Sequence, residues 1–119
     1  MENQYNHNNV FAKILKGEIP CTKVYENEYI LAFQDIHPCA PKHVLVIPKK
    51  HYINFSDFIK NGEDSEITAY YKAIYQVISQ FNLTSYRLVS NSGESSGQSV
   101  FHFHTHIISG KTLGNLTGA

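Results

Sequence analysis

Gly97-Gln98-Ser99-Val100-Phe101-His102-Phe103-His104-Thr105-His106-Ile107-Ile108 decides how this chain is read. Its three histidines stand at every second position, between apolar residues. A strand sends alternate side chains to opposite faces, so the three imidazoles would share one face. Phe101, Phe103, Thr105 and Ile107 would share the other. A helix scatters positions i, i+2 and i+4 around its axis, so the spacing excludes an amphipathic helix here. The stretch is expected to be a strand with an apolar floor beneath a row of titratable rings. At a strand rise of about 3.3 Å per residue the outer two Cα atoms lie about 13 Å apart, too far for all three rings to grip one ion. Two of them with a ligand from elsewhere could hold zinc or copper, but there is no Cys partner nearby and no HExxH helix.

Immediately upstream, Ser92-Gly93-Glu94-Ser95-Ser96-Gly97 is a loop of small residues. Gly93, Gly97 and Ser99 are expected to offer backbone N–H groups and a hydroxyl to an anion. An imidazole with an ordinary pKa of about 6.5 is largely neutral at pH 7, so one ring can attack while a neighbour donates a proton. A phosphate ester requires an uncharged nucleophile, donors for its non-bridging oxygens and an acid for the leaving group. The histidine strand and its loop together point to chemistry at phosphorus.

The remaining elements form a scaffold. Val10, Phe11, Ile14 and Leu15 make one stripe of a short helix that Gly17 closes and Pro20 bars from continuing. Lys23–Glu26 and Tyr29–Gln34 read as a hairpin around Asn27-Glu28, and Asp35–Pro41 as a proline-punctuated loop. His43–Ile47 is a third strand, apolar enough to be central. Residues 55–63 suggest a helical turn and then an exposed loop at Asn61-Gly62. Ile67, Tyr70, Tyr71, Ile74, Val77, Ile78 and Phe81 hold a helical period, with Asp64 or Ser65 as the N-cap and Asn82 at the end. Tyr86–Asn91 is the fourth strand. The predicted fold is α+β: a five-stranded, mostly antiparallel sheet with one long and one short helix. Residues 1–9, with His7, read as a disordered tail, 10–110 as the domain and 111–119 as a polar tail.

With 119 residues the chain forms one domain, large enough to bury about two thirds of its unfolded surface without a disulfide or metal staple. Ten basic and ten acidic residues give no net charge, which removes any bulk argument for binding nucleic acid or a membrane. Cys21 and Cys39 lack CxxC spacing, and the Asn-rich start lacks the apolar core of a signal peptide. A soluble, cytoplasmic protein with reduced thiols is expected.

At His102-Phe103-His104-Thr105-His106-Ile107-Ile108 the chain resembles the signature of the histidine triad (HIT) superfamily, His-apolar-His-apolar-His-apolar-apolar. Phe11-Ala12-Lys13-Ile14, Gly17-Glu18-Ile19-Pro20, Leu31–Ile36, Pro41–His51 and Gly97–Val100 resemble its Hint branch, the histidine triad nucleotide-binding proteins. The similarity runs from about Val10 to Gly110. Pro-Lys-Lys-His at 48–51 and Gln-Ser-Val at 98–100 favour Hint over the Fhit-like dinucleoside polyphosphate hydrolases.

The resemblance implies a HIT-like sheet extended across a homodimer. It also implies a hydrolase that cleaves purine nucleoside phosphoramidates or aminoacyl-adenylates to AMP through a nucleotidyl-histidine intermediate. By the same resemblance His104 is the nucleophile, His106 contacts the phosphate, His43 completes the site and His102 supports the arrangement. Ser99 and Asn91 stand near the phosphate and leaving group, with Gly97 and Gln98 in the nucleotide-binding set. Asp35 holds the ribose hydroxyls, and Phe11, Phe33 and Ile36 wall the base. The implied ligands are purine nucleotides (AMP, GMP and adenosine phosphoramidates), with no metal and no cofactor. Rival readings are a dinucleoside polyphosphate hydrolase, a nucleotide- or partner-binding module, and a metal protein using His104 and His106. Thr105 departs from the usual apolar residue and is expected to affect packing only. Asn9 and Ala12 replace a CxxC pair that helps some relatives hold zinc, leaving His51 from that set. The Trp-containing ending of some Hint relatives is missing.

Overall fold

One sheet of five strands, every neighbouring pair antiparallel, forms the centre of the molecule in the order β1-β2-β3-β5-β4. The computed structural model describes residues 4–115. Its elements are α1 (Val10–Leu15), β1 (Lys23–Glu26), β2 (Ile30–Gln34), β3 (Lys42–Pro48), α2 (Phe55–Asn61), α3 (Asp64–Gln80), β4 (Tyr86–Val89) and β5 (Thr105–Ser109). A 3-10 turn spans Glu94–Ser96. The expected α+β class is observed. Parts of the two expected tails, 1–3 and 116–119, lie outside the described residues.

β3 is the middle strand and is buried from His43 to Pro48, as its apolar run predicts. Alternation along it separates two cores. Val44 and Val46 face α3, where Tyr70, Ala73, Ile74 and Val77 pack with Phe58, Phe103 and Ile107. Leu45 and Ile47 face the other way and pack with Leu31, Phe33 and Phe11 of α1. Directly paired residues in an antiparallel ladder share a face. The pairs Val44↔Ile107 and Leu45↔His106 therefore put Ile107 under α3 and His106 on the side of α1.

The histidine stretch is a strand only from Thr105 onward. Residues 97–104 have no strand partner, because the β3 register ends at Val46↔Thr105 and the β4 register at Val89↔His106. Gly97 and Gln98 bond back within their own loop, and between Ser99 and His104 one main-chain bond among the described residues, from the Phe103 N–H to the Tyr52 carbonyl at 2.7 Å, stands in for the ladder. Alternation survives: Phe103, Thr105 and Ile107 are buried toward α3. Phe101 leaves the expected floor and is 39% exposed.

Residues 55–61 form a full helix rather than one turn. Asn54 caps it by accepting the Asp57 N–H at 2.9 Å, and fully buried Phe58 anchors it against Tyr52, Tyr70 and Phe103. The N-cap of α3 is Glu63, not Asp64 or Ser65. Glu66 reaches back to the Glu63 N–H in a reciprocal capping box, a use of two glutamates that cap preferences do not favour. Asn82, at φ 53°, closes the helix as expected.

Thr105 does more than pack. Tyr70 has one hydroxyl proton and donates it to the Val46 carbonyl at 2.8 Å, so Thr105 donates to Tyr70 and Ser90 donates to Thr105, each at 2.8 Å. This chain ties α3, β3 and the residue after β4 to the histidine strand. Thr105→Val would leave the Tyr70 lone pair and the Ser90 proton without partners. It is expected to cost about 1–3 kcal/mol in urea unfolding. A variant as stable as wild type would show that the hydroxyl chain carries no net stabilisation.

Candidate active site

The ladder fixes the histidine cluster. His106 lies opposite Leu45, and His43 is two residues along β3 on the same face, a diagonal pair within reach of long side chains. Their rings meet, with His43 Nε2 to His106 Nδ1 at 2.9 Å. His104 stands beside them, its ring centroid 5.1 Å from that of His106 and 4.9 Å from that of Phe11. His102 is fully buried behind them.

Backbone groups determine each tautomer. A carbonyl can only accept, so His104 Nδ1 carries its proton toward the His102 carbonyl at 2.8 Å and leaves the lone pair on Nε2. By the same reasoning His102 Nε2–H donates to the Pro48 carbonyl at 2.8 Å, so its Nδ1 accepts from the Tyr5 hydroxyl at 2.6 Å. His43 Nδ1 accepts the Cys39 N–H at 3.1 Å, so its Nε2–H donates to His106 Nδ1. His106 then keeps its proton on Nε2. In this arrangement His106 Nδ1 accepts and so must carry a lone pair, while the His104 bond sets which nitrogen bears the proton of the neutral ring. Burial acts in the same direction, since it disfavours the cationic form: the pKa of His102 and of His106 falls to about 4, and that of His104 is lowered as well.

Beside these rings lies a cavity of about 420 Å³. Of the residues named from the sequence, His104, His106, Ser99, Asp35, Ile36, Phe33, Phe11, Asn91 and Gly97 line it together. His43 sits one ring behind, with Asp35 Oδ2 at 3.3 Å from its Nε2. Asp35 Oδ1 accepts the His37 N–H at 2.8 Å, which fixes the carboxylate at the rim. Val10, Ile14, Ile19, Pro20, Cys21, Leu45 and Val100 complete the apolar wall. The α1 stripe was visible in the sequence, but nothing in it distinguishes lining a cavity from lining a core. A larger groove of about 740 Å³ runs between Asn82–Arg87 and Ser109–Leu113, and its lining has no imidazole or carboxylate.

Two expectations change. The Gly93 and Gly97 N–H groups are not free for an anion, because Gly93 donates to the Gln98 side-chain carbonyl at 2.9 Å and Gly97 to the Glu94 carbonyl at 3.0 Å. Both glycines are needed for shape instead, at φ 91° and 104°, a region that side chains disfavour. Gln98 does not line the cavity. Its buried amide also donates to the Ile53 and Val100 carbonyls, so the side chain builds the loop. Ser99 keeps both an N–H and a hydroxyl without a protein partner among the described residues.

Asp35, His43 and His106 bring ligand-type atoms within 4.8 Å of one another. An ion there would have to break the His43–His106 hydrogen bond and share His43 with the Cys39 N–H. A zinc at the Asn9–Ala12 corner does not fit either. The Asn9 side chain accepts the Ala12 N–H, Ala12 offers a methyl group, and His102 Nδ1 is taken by Tyr5.

Comparison with known proteins agrees with this geometry. The HIT domain pattern matches residues 16–113. An uncharacterised HIT-like protein of Rickettsia prowazekii is 48% identical over 111 residues, covering 92% of each chain. A solved HIT family hydrolase from Clostridium thermocellum is 39% identical with a TM-score of 0.79, covering 92% of this chain and 96% of its own. A histidine triad nucleotide-binding protein from Candida albicans is 30% identical with a TM-score of 0.77, covering 84% and 73%. With the alternating histidines, the sheet order and these matches in agreement, the chain belongs to the HIT family.

Proposed function

We propose that the protein is a Hint-type nucleotide hydrolase that cleaves purine nucleoside phosphoramidates or aminoacyl-adenylates to AMP. The observation that carries this is the 2.8 Å bond from His104 Nδ1–H to the His102 carbonyl, which leaves an uncharged Nε2 lone pair in a cavity that Asp35 also lines. A flat purine suits the wall of Phe11, Phe33, Val10 and Ile14. Each Asp35 oxygen keeps acceptor capacity for a ribose hydroxyl. His104 Nε2 attacks phosphorus as the P–N bond of a phosphoramidate or the P–O bond of an aminoacyl-adenylate breaks. A departing nitrogen takes its electron pair and a proton relayed from solvent through the Ser99 hydroxyl, and a departing carboxylate leaves with its electron pair alone. His106 Nε2–H, held in that tautomer by His43, donates to a non-bridging oxygen. Water then attacks phosphorus, the P–Nε2 bond breaks, and the proton released by water replaces the one delivered to the amine.

A homodimer completes this reading. β4 is an edge strand, and Tyr86 and Leu88 on it are 44% and 46% exposed, a row of main-chain groups and apolar side chains suited to a second copy. A dinucleoside polyphosphate is a weaker fit, since no Lys or Arg is among the cavity-lining residues to meet the extra phosphates.

Hydrolysis of adenosine 5′-phosphoramidate, followed by 31P NMR with excess chelator, tests the proposal against a diadenosine polyphosphate. The expected result is AMP release unaffected by chelation, with kcat/KM favouring the phosphoramidate by at least tenfold, about 1.4 kcal/mol. AMP binding without turnover of either compound would instead identify a binding module.

A further inference from the structure

The backbone that carries His104 lies outside the sheet ladder and is held mainly through His102. One main-chain bond fixes Phe103, while both ring nitrogens of His102 are clamped, to the Pro48 carbonyl at 2.8 Å and to the Tyr5 hydroxyl at 2.6 Å. The His102 carbonyl in turn orients His104. Tyr5 comes from the far N-terminus, 97 residues away in sequence. Its ring stacks on His51 at 4.4 Å with an interplanar angle of 2°, and His7 meets it edge-on at 4.9 Å. Burial raises the Tyr5 pKa, so the phenol remains a donor at physiological pH.

We propose that Tyr5 is a positioning residue, whose hydroxyl fixes the His102 ring and, through the His102 main chain, the tautomer and aim of the His104 imidazole. Without that hydroxyl the buried Nδ1 of His102 has no donor, and the ring can relax away from a cost of this kind only by turning. A turn breaks the Pro48 bond, and with it the side-chain clamp on a stretch of main chain that no ladder holds, so the His102 carbonyl that orients His104 is freed to shift. The N-terminal segment thus acts on the site from behind, with no contact to the reacting atoms. This inference rests on the reading of His104 as nucleophile.

Tyr5→Phe tests it, since it keeps the stack on His51 and removes one oxygen. The expected result is a fall of about tenfold in kcat for adenosine 5′-phosphoramidate, with KM and AMP affinity within about twofold. By 15N NMR the His102 Nδ1 resonance should move, and the His104 Nδ1–H should exchange faster with solvent. An unchanged kcat in a folded variant, or an unmoved His104 Nδ1–H signal, overturns the proposal. Tyr5→Ala separates hydroxyl from ring: loss of turnover in Tyr5→Ala but not in Tyr5→Phe would assign the effect to stacking and sink the hydroxyl's role. If wild type does not cleave the phosphoramidate, the proposed function fails, while the two NMR signals still decide whether Tyr5 governs His104.

Discussion

His104→Ala is expected to reduce phosphoramidate turnover by about 10⁴-fold or more, because loss of a nucleophile removes the covalent route altogether. Few other contacts depend on this ring. Most of the apolar wall and Asp35 come from α1, the segment after it, β2 and the loop that follows β2, so AMP affinity should change little. The space vacated lies on the cavity and fills with water, so the large penalty of a sealed void does not apply. The His102 carbonyl loses one donor that water can replace. Steady-state kinetics with calorimetric AMP titration and a thermal melt would read all three quantities. Turnover near wild type would remove His104 from the mechanism, and loss of AMP binding together with turnover would point to a damaged fold.

Acid should destabilise the protein well above the range where most carboxylates titrate. His102 and His106 have pKa values of about 4 in the fold, below the ordinary value of 6.5, because burial disfavours their charged forms. Between pH 6.5 and 4 the unfolded chain binds protons that the native state refuses. Stability therefore rises with pH through this window and is lost as pH falls through it. From the depressed pKa alone, His102 contributes a loss on the order of 3 kcal/mol across the window. His106 is more exposed and adds less, and His104 acts in the same direction. Urea unfolding from pH 7.5 to 4 should show the decline beginning near 6.5. A flat profile between pH 7 and 5 would mean that these rings are not neutral by burial.

The elements that carry chemistry were legible where a short period in sequence sufficed. Alternate positions put His102, His104 and His106 together even where no ladder forms, because extended backbone alternates with or without a partner strand. Apolar continuity from Val44 to Ile47 marked the central strand. Tyr5 was not legible, since a polar, Asn-rich segment gives no periodic signal and its partner is a buried nitrogen 97 residues away. Gly93 and Gly97 suggested free N–H groups because composition reports which donors exist but not which are already bonded. Gln98 misled for the same reason, as its amide serves the loop it belongs to. At Thr105 the sequence showed a polar residue in an apolar slot. It took Tyr70, from a helix 35 residues away, to explain it.

Because the loop glycines bond inward, the proposed reaction meets phosphate with side chains and the Ser99 N–H, and burial keeps the His104 and His106 rings neutral. The cavity lining holds no Lys or Arg, while Asp35 brings a carboxylate. A phosphoramidate enters with one negative charge. AMP leaves with close to two, since the second ionisation of a phosphate monoester has a pKa of about 6. The charge added by hydrolysis meets no Lys or Arg in the lining and a carboxylate that repels it. For the proposed reaction these electrostatics would favour reactant over product, so the neutrality that leaves His104 its lone pair would also help AMP depart.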